Sequence, residues 1–270
     1  MKNMFKMSGI IFLTVVLCFT LTACDEDENI GSQVTVSGSS LAKKIEWVQS
    51  HRSSGTTYTI DVTADEEISG YMLTSGNNKN MTIILNGNGK TISLKNDAVR
   101  WLFMIGDNVT LILNNITLKG HDHNRASLVV VAGKLVMNNG SKIINNRNGE
   151  GSEYLRNIGG GVRVNGTFIM DGGEISGNYA YIGGGIFISN GDFRIINGTI
   201  YGSNAADGLK NTAYFPYNGC AFGMRPGSAQ YGTYNDNTWI GTDLPLPDKD
   251  ILNADLYTSN TIKVVNGVLQ

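Results

Sequence analysis

One phrase of about two dozen residues is written twice in succession, and it restricts the possible folds more than any other feature of the chain. From Ile158 the sequence reads IGGGVRVNGTFIMDGGEISGNYA, and from Ile182 it reads IGGGIFISNGDFRIINGTIYGSNA. Gly159, Gly160 and Gly161 return as Gly183, Gly184 and Gly185 at a step of 24. Phe168, Gly173, Ile175, Gly177 and Ala180 return as Phe193, Gly198, Ile200, Gly202 and Ala205 at a step of 25. A fixed period of this size is the mark of stacked repeats.

Inside each copy apolar residues alternate with polar or small ones: Val162 and Val164, Phe168 and Met170, Ile186 and Ile188, Phe193 and Ile195. A period of two belongs to strands. The runs are short and are broken by Gly, Asn and Asp, which tolerate tight corners and left-handed backbone. Each copy therefore reads as two or three short strands joined by bends. One such coil leaves its apolar face open, and stacking at about 4.8 Å per rung closes it. The expected fold class is all-β: a single-stranded parallel β-helix solenoid, right-handed by analogy with parallel crossover connections.

The same grammar runs more loosely upstream. Tyr58–Val62 is followed by Met81–Leu85 with Thr91–Leu94, then Val109–Leu113 with Ile116–Leu118, then Leu128–Val131 with Leu135–Met137. Gly140, Ile143 and Asn146 match Gly172, Ile175 and Asn178 at a step of 32, and the excess length falls in 147–157, a loop without alternation. Rungs are expected over 53–205. Asn86, Asn114, Asn115, Asn138, Asn139, Asn145, Asn146 and Asn178 sit at rung corners, where stacked amides can form hydrogen-bonded ladders facing in or out. Beyond 205 the repeat lapses, and Pro216, Pro226, Pro245 and Pro247 all fall in the last quarter. Residues 206–270 read as loop- and aromatic-rich rungs and a cap, with Thr261–Val265 as a strand completing the last rung.

The opening differs in kind. Lys2 and Lys6 precede an apolar run over 9–19, shorter than the roughly 20 residues that span a bilayer, so 1–23 reads as a secretory signal. It ends Leu21-Thr22-Ala23-Cys24, which resembles the lipobox of bacterial lipoproteins. That resemblance implies an acylated Cys24 embedded in a lipid bilayer, each buried methylene contributing about 0.8 kcal/mol. Residues 24–38 are acidic and then small and polar, a tether. Over 39–52, Ser40 is a helix cap, and Leu41, Ile45 and Val48 share one face of a helix that would cover the open first rung.

Cys18 would leave with the signal and Cys24 would carry lipid, so Cys220 has no disulfide framework to join. A net charge of −2 and a pI near 5.9 argue against nucleic acid as a partner. The expected location is exported and lipid-anchored in the cell envelope, at the outer membrane or cell surface ahead of the inner membrane.

Three patches have residue types suited to chemistry. His121-Asp122-His123 offers two imidazoles and a carboxylate for a metal, although the same triplet suits a solvated turn. Arg147, Glu150, Glu153 and Arg156 supply the acid and base types of a polysaccharide-cleaving enzyme, or else charges that pair with one another on a surface insertion. Tyr214, Tyr217, Tyr231, Tyr234 and Trp239 suit sugar rings or a partner surface, or else packing as the C-terminal cap. Gly87-Asn88-Gly89-Lys90-Thr91 is no phosphate-binding loop, because Ile84 stands where the leading glycine belongs.

The Gly-Gly-Gly-Ile/Val, Gly-Thr-Phe-x-Met and Gly-Gly-x-Ile-Ser-Gly-Asn phrases resemble those of right-handed β-helix surface lipoproteins of bacteria, in the pectin-lyase-like superfamily. They are distantly similar to the repeats of polymorphic outer-membrane proteins. The clear likeness covers 128–205 and implies a membrane-anchored binding or adhesion module for a glycan or a surface protein, without a cofactor. The superfamily also implies an alternative, a polysaccharide lyase or hydrolase. The hydrolases' Gly-His-Gly, Asn-Thr-Asp, Asp-Asp and Arg-Ile-Lys motifs are absent from the chain. A structural envelope spacer is the third reading, since fold alone supplies no activity.

Overall fold

The computed structural model describes residues 33–77, 80–149, 157–214, 220–225, 227–245, 248–249 and 256–270. They form a parallel β-helix whose regular turns lay one strand on each of three faces. The first face stacks Gln33–Thr35, Thr57–Asp61, Met81–Asn86, Val109–Asn114 and Lys134–Asn138, all parallel. It continues through the leading halves of Thr167–Ser176 and Asp192–Ile200 to Ser228–Asn235. The second face stacks Glu66–Ile68, Thr91–Leu94, Thr117–Lys119 and Lys142–Ile144 on the trailing halves of those two long strands. The third runs from Tyr71–Leu73 through Phe103–Ile105, Val129–Val131, Val162–Val164 and Ile186–Ser189 to Phe222–Arg225.

The registers explain why alternation suffices to build the core. Tyr58, Ile83, Leu111, Leu135, Phe168 and Phe193 lie over one another on the inner side of the first face. Ile92, Leu118, Ile143, Ile175 and Ile200 do so on the second. All are 1% exposed or less. Each such aliphatic or aromatic side chain contributes about 1.5–3 kcal/mol by leaving water. Phe193 joins two faces, its ring centroid 5.1 Å from Phe168 and 5.8 Å from Phe222.

Corners follow from local chemistry. Asn88, Asn115 and Asn145 adopt left-handed backbone, which asparagine tolerates better than most residues. Outside the coil, the Nδ2 of Asn138 donates to Asn114, Asn114 to Asn86, and Asn86 to Asp61, at 2.7, 3.0 and 2.9 Å. Inside, Asn146, Asn178 and Asn211 form a second, buried ladder. The glycine triplets let rungs touch. Gly160 N donates to Gly183 O at 3.0 Å, and a β-carbon on Gly160 would overlap the Gly184 carbonyl oxygen.

Both ends of the stack are covered. A helix spans Leu41–Ser50, with Ser40 Oγ accepting from Lys43 N at 3.2 Å, and it buries Leu41, Ile45 and Val48 on the first rung. Glu66 pairs with Ile92 in the register, so the aliphatic column of the second face ends in a carboxylate, and its Oε1 accepts the Leu41 amide at 2.7 Å. At the far end the structure departs from the sequence expectation. Ile262–Val265 pairs antiparallel with Gly198–Ile200, and Leu256–Thr258 antiparallel with Phe222–Met224, so reversed strands close the stack where a final parallel rung was expected. Further reversed strands come from turn chemistry: Asn266-Gly267 and Asp236-Asn237 both hold positive φ, the geometry of two-residue hairpins. Those hairpins join Ile262–Val265 to Val268–Leu269 and Ser228–Asn235 to Thr238–Asp243.

Candidate functional site

Alternation along Asp192–Ile200 buries Phe193 and Ile195 and turns Asp192 and Arg194 outward. The next strand of the first face sets Ser228 beside Asp192 and Gln230 beside Arg194. Its hairpin then returns, placing Trp239 opposite Tyr234 and Asp243 opposite Gln230. Residues far apart in sequence thus meet on the outer surface of the last rungs.

Arg194 is the hub of this patch. Its Nη1 donates to the Tyr234 hydroxyl at 3.0 Å. Its Nε lies 2.8 Å from Asp192 Oδ2, an ion pair. The other carboxylate oxygen of Asp192 accepts from the Ser228 hydroxyl. Burial works against the guanidinium charge. The Tyr234 hydrogen bond and the Asp192 carboxylate outweigh it and hold Arg194 above its ordinary pKa.

The aromatic pair is fixed from below. The Tyr234 and Trp239 centroids are 5.1 Å apart with planes at 57°, and the Arg194 guanidinium carbon lies 5.6 Å from the indole centroid. Trp239 Nε1 donates to Gln230 Oε1 at 2.8 Å, and Gln230 Nε2 donates to Asp243 Oδ1 at 2.9 Å. The indole lies across Gly241, where a β-carbon would overlap its nitrogen. Tyr234 is 38% exposed and Trp239 partly so. The surface therefore presents two aromatic rings ringed by amide, hydroxyl and carboxylate groups, with its main cation already neutralised by Asp192.

The other aromatics go elsewhere. Tyr231 pairs with Ile195 in the register and packs against the core. Tyr214 stacks on Tyr181 at the turn between the second and third faces, centroids 5.3 Å apart and planes at 13°. There the Arg147 guanidinium lies 4.2 Å from the Tyr179 ring centroid. Burial raises the Tyr179 pKa, with Arg147 opposing and Tyr214 adding to the rise. Tyr217, Glu150, Glu153, Arg156 and Cys24 lie outside the described residues.

His121 is occupied by the fold. Its Nδ1 accepts the His123 amide at 3.2 Å, and its Nε2 lies 3.0 Å from Ala98 O, a set of partners that requires the neutral Nε2–H tautomer. The lone pair a metal would need is thus in use, and His123 stands exposed beside it. Among the described residues no group of three or more metal-ligating side chains converges, and no helix is long and apolar enough to cross a membrane.

Arg194, Gln230, Asp192 and Asp243 were not singled out by sequence. The alternation gave a usable signal for Asp192 and Arg194, since both fall on the solvent side of a strand, but their partners depend on a register that spacing alone does not supply. Compared with protein families, with curated proteins and with solved structures, the chain finds no match.

Proposed function

We propose that this protein is an envelope-anchored binding module that holds a glycan on the Arg194–Tyr234–Trp239 patch without cleaving it. The observation that carries the reading is the fixed indole of Trp239, seated on Gly241 and pinned by Gln230, beside an exposed Tyr234 that Arg194 holds in place. Aromatic faces combine apolar area with little conformational freedom, and their polar neighbours supply directed hydrogen bonds. A pyranose ring needs both, an apolar face to stack and hydroxyls at its rim to be bonded. Groups held in place before binding lose little entropy when the ligand arrives.

The position of the patch agrees with an anchor at Cys24. Gln33–Thr35 is the outermost strand at one end of the first face, and Ser228–Asn235 is the eighth in the parallel stack. At about 4.8 Å per step the patch stands roughly 34 Å along the axis from the tethered end. Acyl chains on Cys24 would then hold the solenoid by one end and present the aromatic rings at the other. The likeness to β-helix surface lipoproteins of the pectin-lyase-like superfamily supports the same arrangement.

The test is to titrate the full-length protein in detergent with a panel of glycans while assaying for new reducing or unsaturated ends. Saturable binding that quenches or shifts tryptophan fluorescence, with no product, is the expected result. Product release would replace this reading with an enzyme.

A further inference from the structure

The outer surface of the first face does not stop at the aromatic patch. In register with Arg194 and Gln230, the outward positions on the preceding rungs are Ile169, Val136, Ile112 and Ile84, one aliphatic side chain per rung. Each is partly exposed, although alternation would ordinarily put a polar residue there. On one side of this stripe runs a column of hydroxyls, Thr82, Thr110 and Thr167, broken by Lys134. On the other side runs the ladder Asn86–Asn114–Asn138, whose links each use one of the two N–H groups of an amide.

We infer that this stripe is a binding track for an uncharged linear polysaccharide, laid along the solenoid axis and leading into the Trp239 patch, with about one sugar per rung. The inference rests on the glycan reading of that patch and extends it to a ligand class and a direction. The grounds are four. The surface keeps an aliphatic residue at the centre of four successive rungs, between a hydroxyl and an amide on the rungs of Ile84 and Ile112, which suits a homopolymer, whereas a peptide brings a different side chain at each step. The rung spacing of about 4.8 Å is close to the repeat of an extended β-linked pyranose chain. An apolar line flanked by hydroxyls and amides matches a sugar's apolar face and polar rim. The stripe is nearly free of charge, with Lys134 and Asp171 on its flanks and Asp192 paired to Arg194, so an acidic polymer would gain little.

The experiment is calorimetric titration of the full-length protein with cellotriose and cellohexaose, repeated on Ile112→Lys and Trp239→Ala. Ile112 points outward, so thermal melts should show the Ile112→Lys fold intact. The expected result is hexaose binding at least tenfold tighter than triose, a tenfold loss for the hexaose alone in Ile112→Lys, and weakening of both ligands in Trp239→Ala. Equal affinity for the two lengths, an Ile112→Lys variant that binds the hexaose as the parent does, or a preference for hexagalacturonate over cellohexaose would each overturn the track. If cello-oligosaccharides do not bind but another glycan binds in a Trp239-dependent way, the track falls and the patch stands. If no glycan depends on Trp239, both fall.

Discussion

The Nδ2 of Asn178 donates to Oδ1 of Asn211 at 3.0 Å, and neither residue is exposed at all. The same Nδ2 reaches Ile143 O at 3.0 Å, and Asn178 Oδ1 accepts the Asn146 amide at 3.0 Å. One side chain thus satisfies two backbone groups of the preceding rung, Ile143 O and the Asn146 amide, and bonds the Asn211 side chain of the next. Removing it leaves those groups buried without partners, each at a cost of about 1–3 kcal/mol. Asn178→Ala should therefore destabilise the protein by about 3 kcal/mol or more in urea unfolding. Asn114→Ala, on the outer ladder where water can substitute, should cost under about 1 kcal/mol.

Gly160 tests the close approach of rungs. Its φ is not in the left-handed region, so the constraint there is space alone: the Gly184 and Tyr179 carbonyl oxygens occupy the place of a β-carbon. Gly160→Ala should lower the thermal midpoint by the equivalent of about 1–3 kcal/mol, the usual cost of overpacking. Gly55, where a β-carbon would meet no atom within 4 Å beyond its chain neighbours but whose φ is +69°, supplies the contrast. Gly55→Ala should cost only the left-handed backbone penalty of about 1–2 kcal/mol.

Tyr179 predicts a dependence on alkaline pH. Its folded pKa is raised, by burial first, with Tyr214 adding to the rise and Arg147 opposing it. The folded protein therefore holds that proton more tightly than the unfolded chain does. Stability tied to it is complete below the ordinary tyrosine value of about 10 and is lost as pH rises through the folded value. Unfolding midpoints measured from pH 8 to pH 12 should fall at the high end, and Tyr179→Phe should shallow that slope. Tyr71, raised chiefly by burial and then by Glu46, accounts for part of the slope that remains.

The duplicated phrase carried most of what could be read of the fold. Gly159–Gly161 and Gly183–Gly185 pair rung on rung, and Phe168 and Phe193 stack as their shared position in the phrase implies. The inner ladder was half visible, because Asn146 and Asn178 are related by the repeat. Asn211 follows Asn178 by 33 residues in a region with no such phrase, so only the folded coil brings it into line. The hairpin of Ile262–Val265 with Val268–Leu269 was legible in principle from Asn266-Gly267, but the reversed direction of Ile262–Val265 against Gly198–Ile200 is not written in its own alternation.

The candidate site was legible only in part. Tyr234 and Trp239 meet because a hairpin with Asp236-Asn237 at its tip sets them opposite each other, while Tyr231 lies on the inner side of the same strand. A cluster of aromatic letters does not say which face each one takes until the register is fixed. Arg194 reaches the pair from 40 residues upstream, a contact that only rung stacking creates.

The most direct test of the central reading is a glycan array probed in parallel with the full-length protein and with Trp239→Ala, both shown by thermal melts to be folded. Binding of at least one glycan by the parent protein, lost tenfold or more in the variant at an unchanged melting midpoint, is the predicted result. Binding that is equal in the two proteins would contradict it, because the Arg194–Tyr234–Trp239 patch would then not be where the ligand sits.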